Sequence, residues 1–537
     1  MFDLLIRNAT VIDGTGSAAC AADVAIAGER IAAVTPPQSS DSLHTGMARS
    51  CIDAAGCIVV PGFIDVHGHS DLNILACPAA ESKLRQGVTT EIFGNCGESA
   101  FPLFGAFRSS IVSELKRLGV EPTWQSASQY FAHLDALQPA INVATYVGHG
   151  SVRAAVMGYE DEAPSASALH QMKREIDAAL AEGAIGMSTG LIYPPGIFAA
   201  TAELCELQGQ ARRRGGIYAS HVRSEGDLLL QAADEFLEIV RSTDSQGQFS
   251  HLKASGPRNW GKVVHVIGAV EQAVAEDARI WWDKYPYVAS STSLAALLPA
   301  WVLAGGTEAV EARLKDPSLR AKIIDESEAA NEGCDGWDSV FIADPACASF
   351  AATQGKFLGP AARDAGIEPG DLFVELLLAS TLRASMCNFT MNWDETDLAI
   401  THARGLVCSD AACRAPYGVL SQDCPHPRTY GTFGAFFRRY VKELGRLTLE
   451  EAVQKVTSLA CSVFGIAGRG EIRPGYYADL VVLDWPEYRD CAEYGAPHRY
   501  CEGVRAVIVN GVLTLKDGVL SGRRAGRVLR RQGDTIQ

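Results

Sequence analysis

The chain has 537 residues, 47% of them apolar and 20% charged, with a formal net charge of −16. That is enough apolar material for one large core and a smaller one, and an acidic surplus spread along the sequence argues against nucleic acid and anionic membranes as partners. No apolar run is long enough to span a bilayer, Met1-Phe2-Asp3-Leu4-Leu5 lacks the pattern of a secretory leader, and 15 cysteines in no regular pairs fit reduced thiols in the cytoplasm.

From residue 3 to about 58, short alternating segments such as Leu4-Leu5-Ile6-Arg7-Asn8 and Val24-Ala25-Ile26, punctuated by Gly14, Gly16 and Gly28, read as hairpins of a small antiparallel sheet. Asp479-Leu480-Val481-Val482-Leu483-Asp484 and the run from Val504 to Gly511 repeat the pattern. The two ends are therefore expected to form one small β-sandwich domain, residues 1–60 and 470–537. Between them, over 61–469, apolar runs suited to buried parallel strands alternate with helix-compatible stretches. Eight such runs, at 58–65, 88–93, 141–147, 184–188, 216–220, 248–252, 279–287 and 406–410, give the rhythm of an α/β fold of the TIM type, a (β/α)8 barrel. More than a hundred residues separate the seventh run from the eighth. This insertion, about 288–400, contains Leu294-Ala295-Ala296-Leu297-Leu298-Pro299-Ala300-Trp301 and is expected to fold as a lid over the active-site mouth. The Arg-rich stretch from Arg523 to Arg531 reads as a solvated terminal helix or a frayed end.

The chemistry begins at Pro61-Gly62-Phe63-Ile64-Asp65-Val66-His67-Gly68-His69-Ser70. Alternate residues of a strand share a face, so His67 and His69 can reach one metal ion. His221, in Tyr218-Ala219-Ser220-His221, and His251, in Phe249-Ser250-His251-Leu252-Lys253, each end a predicted strand on the side where barrels gather catalytic groups. Asp410, after Val407-Cys408-Ser409, ends the eighth strand. A carboxylate there can bind metal, take a proton from water, or do both.

This pattern resembles the amidohydrolase superfamily over nearly the whole chain. Gly94-Asn95-Cys96-Gly97, Gly186-Met187-Ser188-Thr189-Gly190-Leu191 and His426-Pro427-Arg428-Thr429-Tyr430-Gly431-Thr432-Phe433 resemble its N-acyl-D-amino-acid deacylases (D-aminoacylases). The run at 184–188 offers no lysine to bridge two metals, and the resemblance gives that role to the Cys96 thiolate. It implies one tight zinc held by Cys96, His221 and His251, with His67, His69 and Asp410 around a second, weaker position. It further implies hydrolysis of N-acyl-D-amino acids, with Asp410 moving the proton from water to the leaving amine. The D configuration rests on the resemblance alone.

Lys253, Arg428 and a tyrosine from Tyr285-Pro286-Tyr287 suit a substrate carboxylate, arginine offering a two-pronged grip; spacing does not separate Tyr285 from Tyr287. The segment between Asp410 and His426 looks longer than in the deacylases, and its Arg414 could compete for the same anion. His149 reads as a mouth or supporting residue and His402 as structural. Two other readings stand beside this one: a cyclic-amide hydrolase of the dihydroorotase type, and a catalytically silent scaffold. The oligomeric state is left open.

Overall fold

A computed structural model describes residues 1–37, 45–331 and 335–537. It is a mixed α/β structure whose centre is a set of parallel strands: β1 (Phe63–Asp65), β2 (Val88–Phe93), β3 (Asn142–Thr145, resumed at Val147–Gly148), β4 (Gly186–Gly190), β5 (Ile217–His221), β6 (Gln246–Phe249), β7 (Arg279–Lys284) and β8 (Gly405–Val407). β1, β2 and the first half of β3 form one hydrogen-bonded run. The second half of β3 continues through β4, β5, β6 and β7 to β8 in another, and Tyr146 alone separates the two halves. Just beyond β1 and β8, Gly68 and Ala411 form a parallel bridge, and Asp410 N donates to His67 O at 2.8 Å.

Alternation along these strands turns Ile64, Ile92, Ala144, Ile217, Ala219 and Leu406 into one inner cluster. The opposite faces meet helices. Helix Leu229–Thr243, for example, buries Leu229, Ala232, Ala233, Phe236, Leu237 and Val240, the three-and-four spacing of a one-sided stripe.

The run expected as a single first strand, 58–65, is two. Ile58–Pro61 pairs with Leu480–Leu483, whereas Phe63–Asp65 pairs with β2. The switch falls at Gly62, where a Cβ would sit 2.1 Å from Thr89 Oγ1; a residue without one is required for the chain to cross there.

Both chain ends enter one nine-stranded sheet. It is not antiparallel throughout, because Phe2–Val11 pairs parallel with Ala48–Asp53 and with Ile58–Pro61 along a single edge. A turn makes this possible: Ala54 N donates to Arg7 O, and Thr10 N to Cys57 O, so the chain continues along the same neighbour. The tail is neither helical nor frayed. Leu529 N donates to Val143 O and Arg531 N to Gly183 O, Arg531–Gln532 pairs with Thr535–Ile536, and Leu529 and Ile536 are buried in the inner cluster.

Residues 289–389 carry a three-stranded antiparallel sheet, Ala289–Ser293, Ser385–Phe389 and Val340–Asp344 in spatial order, covered by helices including Gly306–Lys315, Pro317–Ala330 and Pro369–Ala379. Leu294, Val302, Leu314, Ile323, Leu372 and Met386 give this region its own apolar cluster. Its helices fit the sequence reading. Its strands, of which Ala289–Ser293 is rich in serine, were not foreseen.

Candidate active site

The carboxyl ends of the parallel strands open into a cavity of about 510 Å³. Cys96 Sγ lies 3.3 Å from His67 Nε2 and 3.5 Å from His251 Nε2. Asp410 Oδ1 lies 2.9 Å from His69 Nε2 and 3.4 Å from His67 Nε2, and the rings of His221 and His251 are 4.4 Å apart. The donor atoms form two groups that share the sulfur: His67, His69, Cys96 and Asp410 in one, Cys96, His221 and His251 in the other, all within 4.8 Å of one another in each group. Every metal-ligand candidate named from the sequence is thus in one place.

The backbone is bent to put them there. Cys96, His251 and Asp410 have φ of 52°, 37° and 49°, a left-handed conformation that costs side-chain-bearing residues energy and gathers at functional sites. The Cys96 loop leans on β4, where a Cβ on Gly190 would stand 2.0 Å from Cys96 O. In place of a lysine, β4 offers Ser188, whose hydroxyl donates to Gly94 O and accepts from Gly97 N. The serine braces the loop that carries the thiol.

Burial alone would raise the Cys96 thiol, yet His67 and His251 hold it well below its ordinary value. Burial likewise opposes ionisation of Asp410, and Arg428, His251 and His67 together hold it well below the usual carboxylate range. Burial lowers His221, and neither of its ring nitrogens has a hydrogen-bond partner although both are buried. An orphaned imidazole beside a thiolate is a gap that a cation closes, and a mixed sulfur and nitrogen donor set suits zinc.

Two carboxylates behind the candidate ligands were missed from the sequence. Asp283, on β7, lies 3.1 Å from His67 Nδ1 and accepts from His251 N at 2.8 Å and Gln248 Nε2 at 2.6 Å, which fixes the ring as outer carboxylates do for metal-binding histidines. Glu225 lies 3.0 Å from His251 Nδ1 and takes the Lys253 ammonium. Their only sequence signal is position, one on a strand beside the site and the other four residues after His221.

Of the carboxylate-binding candidates, Arg428, Lys253 and Tyr285 line the cavity. Arg428 donates to Asp410 Oδ2 at 2.8 Å and to Ser291 O at 3.1 Å, with its guanidinium 4.6 Å over the Tyr285 ring. The Tyr285 hydroxyl is buried without a hydrogen-bond partner. Tyr287 is outside the lining and meets His426 edge-on at 4.9 Å. Arg414 is also outside it, drawn away by Asp423 at 2.6 Å, so it does not compete for an anion in this cavity. His149 is fully buried against Glu203 at 2.9 Å, behind the cavity rather than at its mouth. His402 bonds to Glu271 at 2.9 Å and packs on Trp282, a structural placement.

A parallel α/β framework with this cluster at its strand ends defines a hydrolase that works with a metal. The chain belongs to the Amidohydrolase family, whose model matches residues 50–283 and 403–515. It is 36% identical to the N-acyl-D-glutamate deacylase of Alcaligenes xylosoxydans xylosoxydans over 98% of this chain and 96% of that protein. It is 34% identical to the D-aminoacylase of the same organism over 99% and 98%. The crystal structure of N-acyl-D-glutamate deacylase from Bordetella bronchiseptica, complexed with zinc and a phosphonate mimic of the tetrahedral intermediate, superposes with a TM-score of 0.82 at 34% identity, covering 99% of this chain and all of the other.

Proposed function

We propose that the chain is a zinc-dependent N-acyl-D-amino-acid deacylase, which hydrolyses the amide bond to a carboxylate and a free D-amino acid. The observation that carries this reading is the pair of donor groups sharing Cys96, with Asp410 in the cavity lining and the ring nitrogens of His221 without a hydrogen-bond partner. The D configuration comes from the similarity to the deacylases.

Cys96, His221 and His251 would hold the tight zinc, and His67, His69 and Asp410 a second, weaker position. When bound, zinc supplies Lewis acidity that polarises the scissile carbonyl and makes water a stronger acid. Asp410 accepts the proton of the attacking water at a carboxylate oxygen and returns it to the leaving nitrogen. Lys253, Arg428 and the Tyr285 hydroxyl bind the α-carboxylate and so fix the amide relative to Asp410. A carboxylate at Arg428 occupies part of a guanidinium that otherwise holds Asp410.

The same reading takes the parallel strands as a (β/α)8 barrel over 61–469, on the strength of the Gly68–Ala411 bridge between its first and last strands. Residues 1–60 and 470–537 form the small sheet domain. The region at about 288–400 acts as a lid, which its separate apolar cluster and its contribution to the cavity wall support. No helix among the described residues is long and apolar enough to cross a membrane, and the described cysteines are all unpaired, in keeping with a cytoplasmic enzyme.

The test is hydrolysis of N-acetyl-D- and N-acetyl-L-amino acids by the purified protein, with zinc measured on the same sample and Asp410→Asn as control. D-selective release that needs both zinc and Asp410 is expected. Bound zinc without cleavage of any linear amide would overturn the assignment.

A further inference from the structure

We infer that this deacylase takes N-acyl-D-amino acids with uncharged side chains and rejects the acidic ones, despite its 36% identity to a relative named for glutamate. The inference rests on the deacylase reading above and deepens it.

The argument is a census of charge around the cavity. Among the described residues, three non-histidine cations line it: Arg223, Lys253 and Arg428. Lys253 and Arg428 stand 6.0 and 4.6 Å over the Tyr285 ring and serve the α-carboxylate common to every substrate of this class. An acidic side chain needs a further cation, and the remaining candidate is Arg223. Its guanidinium is held more fully than that of Arg428, which donates to Asp410 and Ser291 O, or than the Lys253 ammonium, which pairs with Glu225. Nε and Nη2 donate to Glu235 at 2.9 and 2.8 Å, Nη1 to Ile197 O at 3.1 Å and Nη2 again to Ala199 O at 2.8 Å. Four of its five N–H groups are spent on the protein.

The rest of the wall is neutral or negative. Ile192, Ala296, Leu297 and Met386 supply apolar surface, and Leu297 and Met386 are themselves buried at 7% and 3% exposure. The strand Ala289–Ser293 contributes hydroxyls, of which Thr292 Oγ1 is bonded to Tyr193 at 2.9 Å. Three carboxylates, Glu98, Glu225 and Asp410, also line the cavity, the last two paired with Lys253 and Arg428. A second substrate carboxylate here would lose water, gain no counter-charge and meet like charge, a mismatch that a desolvated site punishes steeply. A methionine, leucine or glutamine side chain meets surface of its own kind.

Zinc-loaded protein is assayed against N-acetyl-D-methionine, -leucine, -glutamine, -glutamate and -aspartate, alongside Ala296→Arg, which puts a guanidinium on the half-buried wall. The neutral substrates are expected to exceed the acidic ones in kcat/KM by on the order of a hundredfold. The variant, with an unchanged melting temperature, should shift the glutamate-to-methionine ratio by about tenfold towards glutamate. Acidic substrates cleaved as well as neutral ones would overturn the specificity and leave the deacylase standing. A folded Ala296→Arg with an unchanged ratio would overturn the assignment of this wall to the side chain. Failure to cleave any of the five would remove the deacylase reading itself.

Discussion

Two clusters of charge are buried a few residues apart among the same strand ends. Lys83 Nζ reaches Asp65 Oδ2 at 2.7 Å, Ser409 Oγ at 2.6 Å, Ala411 O at 2.8 Å and Glu91 Oε1 at 3.0 Å. Ser70 donates to Glu91, and Ser409 N to Asp65 Oδ1 at 2.9 Å. That network closes on itself and ties β1 and β2 to the residues after β8. The cluster around Cys96 does not close: the ring nitrogens of His221 find no hydrogen-bond partner, with the Glu225 carboxylate 3.6 Å from Nε2, and Cys96, His251 and Asp410 sit in left-handed backbone. A buried polar network that satisfies itself holds a fold together, whereas one that leaves strong donor atoms unsatisfied on a strained backbone is shaped for something it binds.

The largest effect that can separate the two comes from Asp410→Asn. Its expected loss in kcat is about 10²- to 10⁴-fold, read in steady-state hydrolysis, with zinc retained by Cys96, His221 and His251. Lys83→Met should do the opposite, costing about 3–5 kcal/mol of stability by stranding Asp65 and Glu91 and leaving zinc stoichiometry unaltered; denaturant titration and metal analysis read the two halves. Next in size, zinc added to chelator-treated protein at a hundredfold excess over its Kd should stabilise the fold by about 2.7 kcal/mol. Differential scanning should record a rise in Tm that His221→Ala removes.

The smallest effect concerns a third buried group, which belongs to neither cluster. Lys284 has Met391 Sδ at 2.9 Å and the Tyr285 ring at 4.5 Å, and burial pushes it down to about 7 from 10.5. The folded chain therefore holds fewer protons than the unfolded chain between those values. This group's contribution to stability rises as pH climbs through that window. Lys284→Met should flatten the slope, as measured by urea midpoints at pH 7 and pH 9.

Much of this contrast was legible in the sequence, because strand-end position is a local signal. His67, His69, His221, His251 and Asp410 stand where an apolar run stops, and that position marks each as a candidate; Cys96 came through its resemblance to a known pattern. Asp283 and Glu225 were not found, since a carboxylate near a strand end looks the same whether it backs a metal ligand or caps a helix. Tyr285 and Tyr287 share a sequence neighbourhood, and only the fold separates them, by placing Tyr285 in the cavity wall and Tyr287 outside it. The division of 58–65 at Gly62 was hidden because both halves are apolar and extended. The tail was misread because its arginines hide Val528, Leu529 and Ile536, whose burial depends on surfaces made hundreds of residues earlier.

That last dependence has a cost in time during synthesis. Ile58–Pro61 leaves the ribosome about 420 residues before Leu480–Leu483, the strand it pairs with. At about 5–20 residues per second, the interval is roughly 20 to 80 seconds. Throughout it, Val59 and Val60 present an open hydrogen-bonding edge of the kind that recruits foreign strands, and the tail that bonds to Val143 and Gly183 is made later still. The nascent enzyme is an aggregation hazard until that partner strand is made, and its yield in a cell should follow the supply of chaperones that shield such edges.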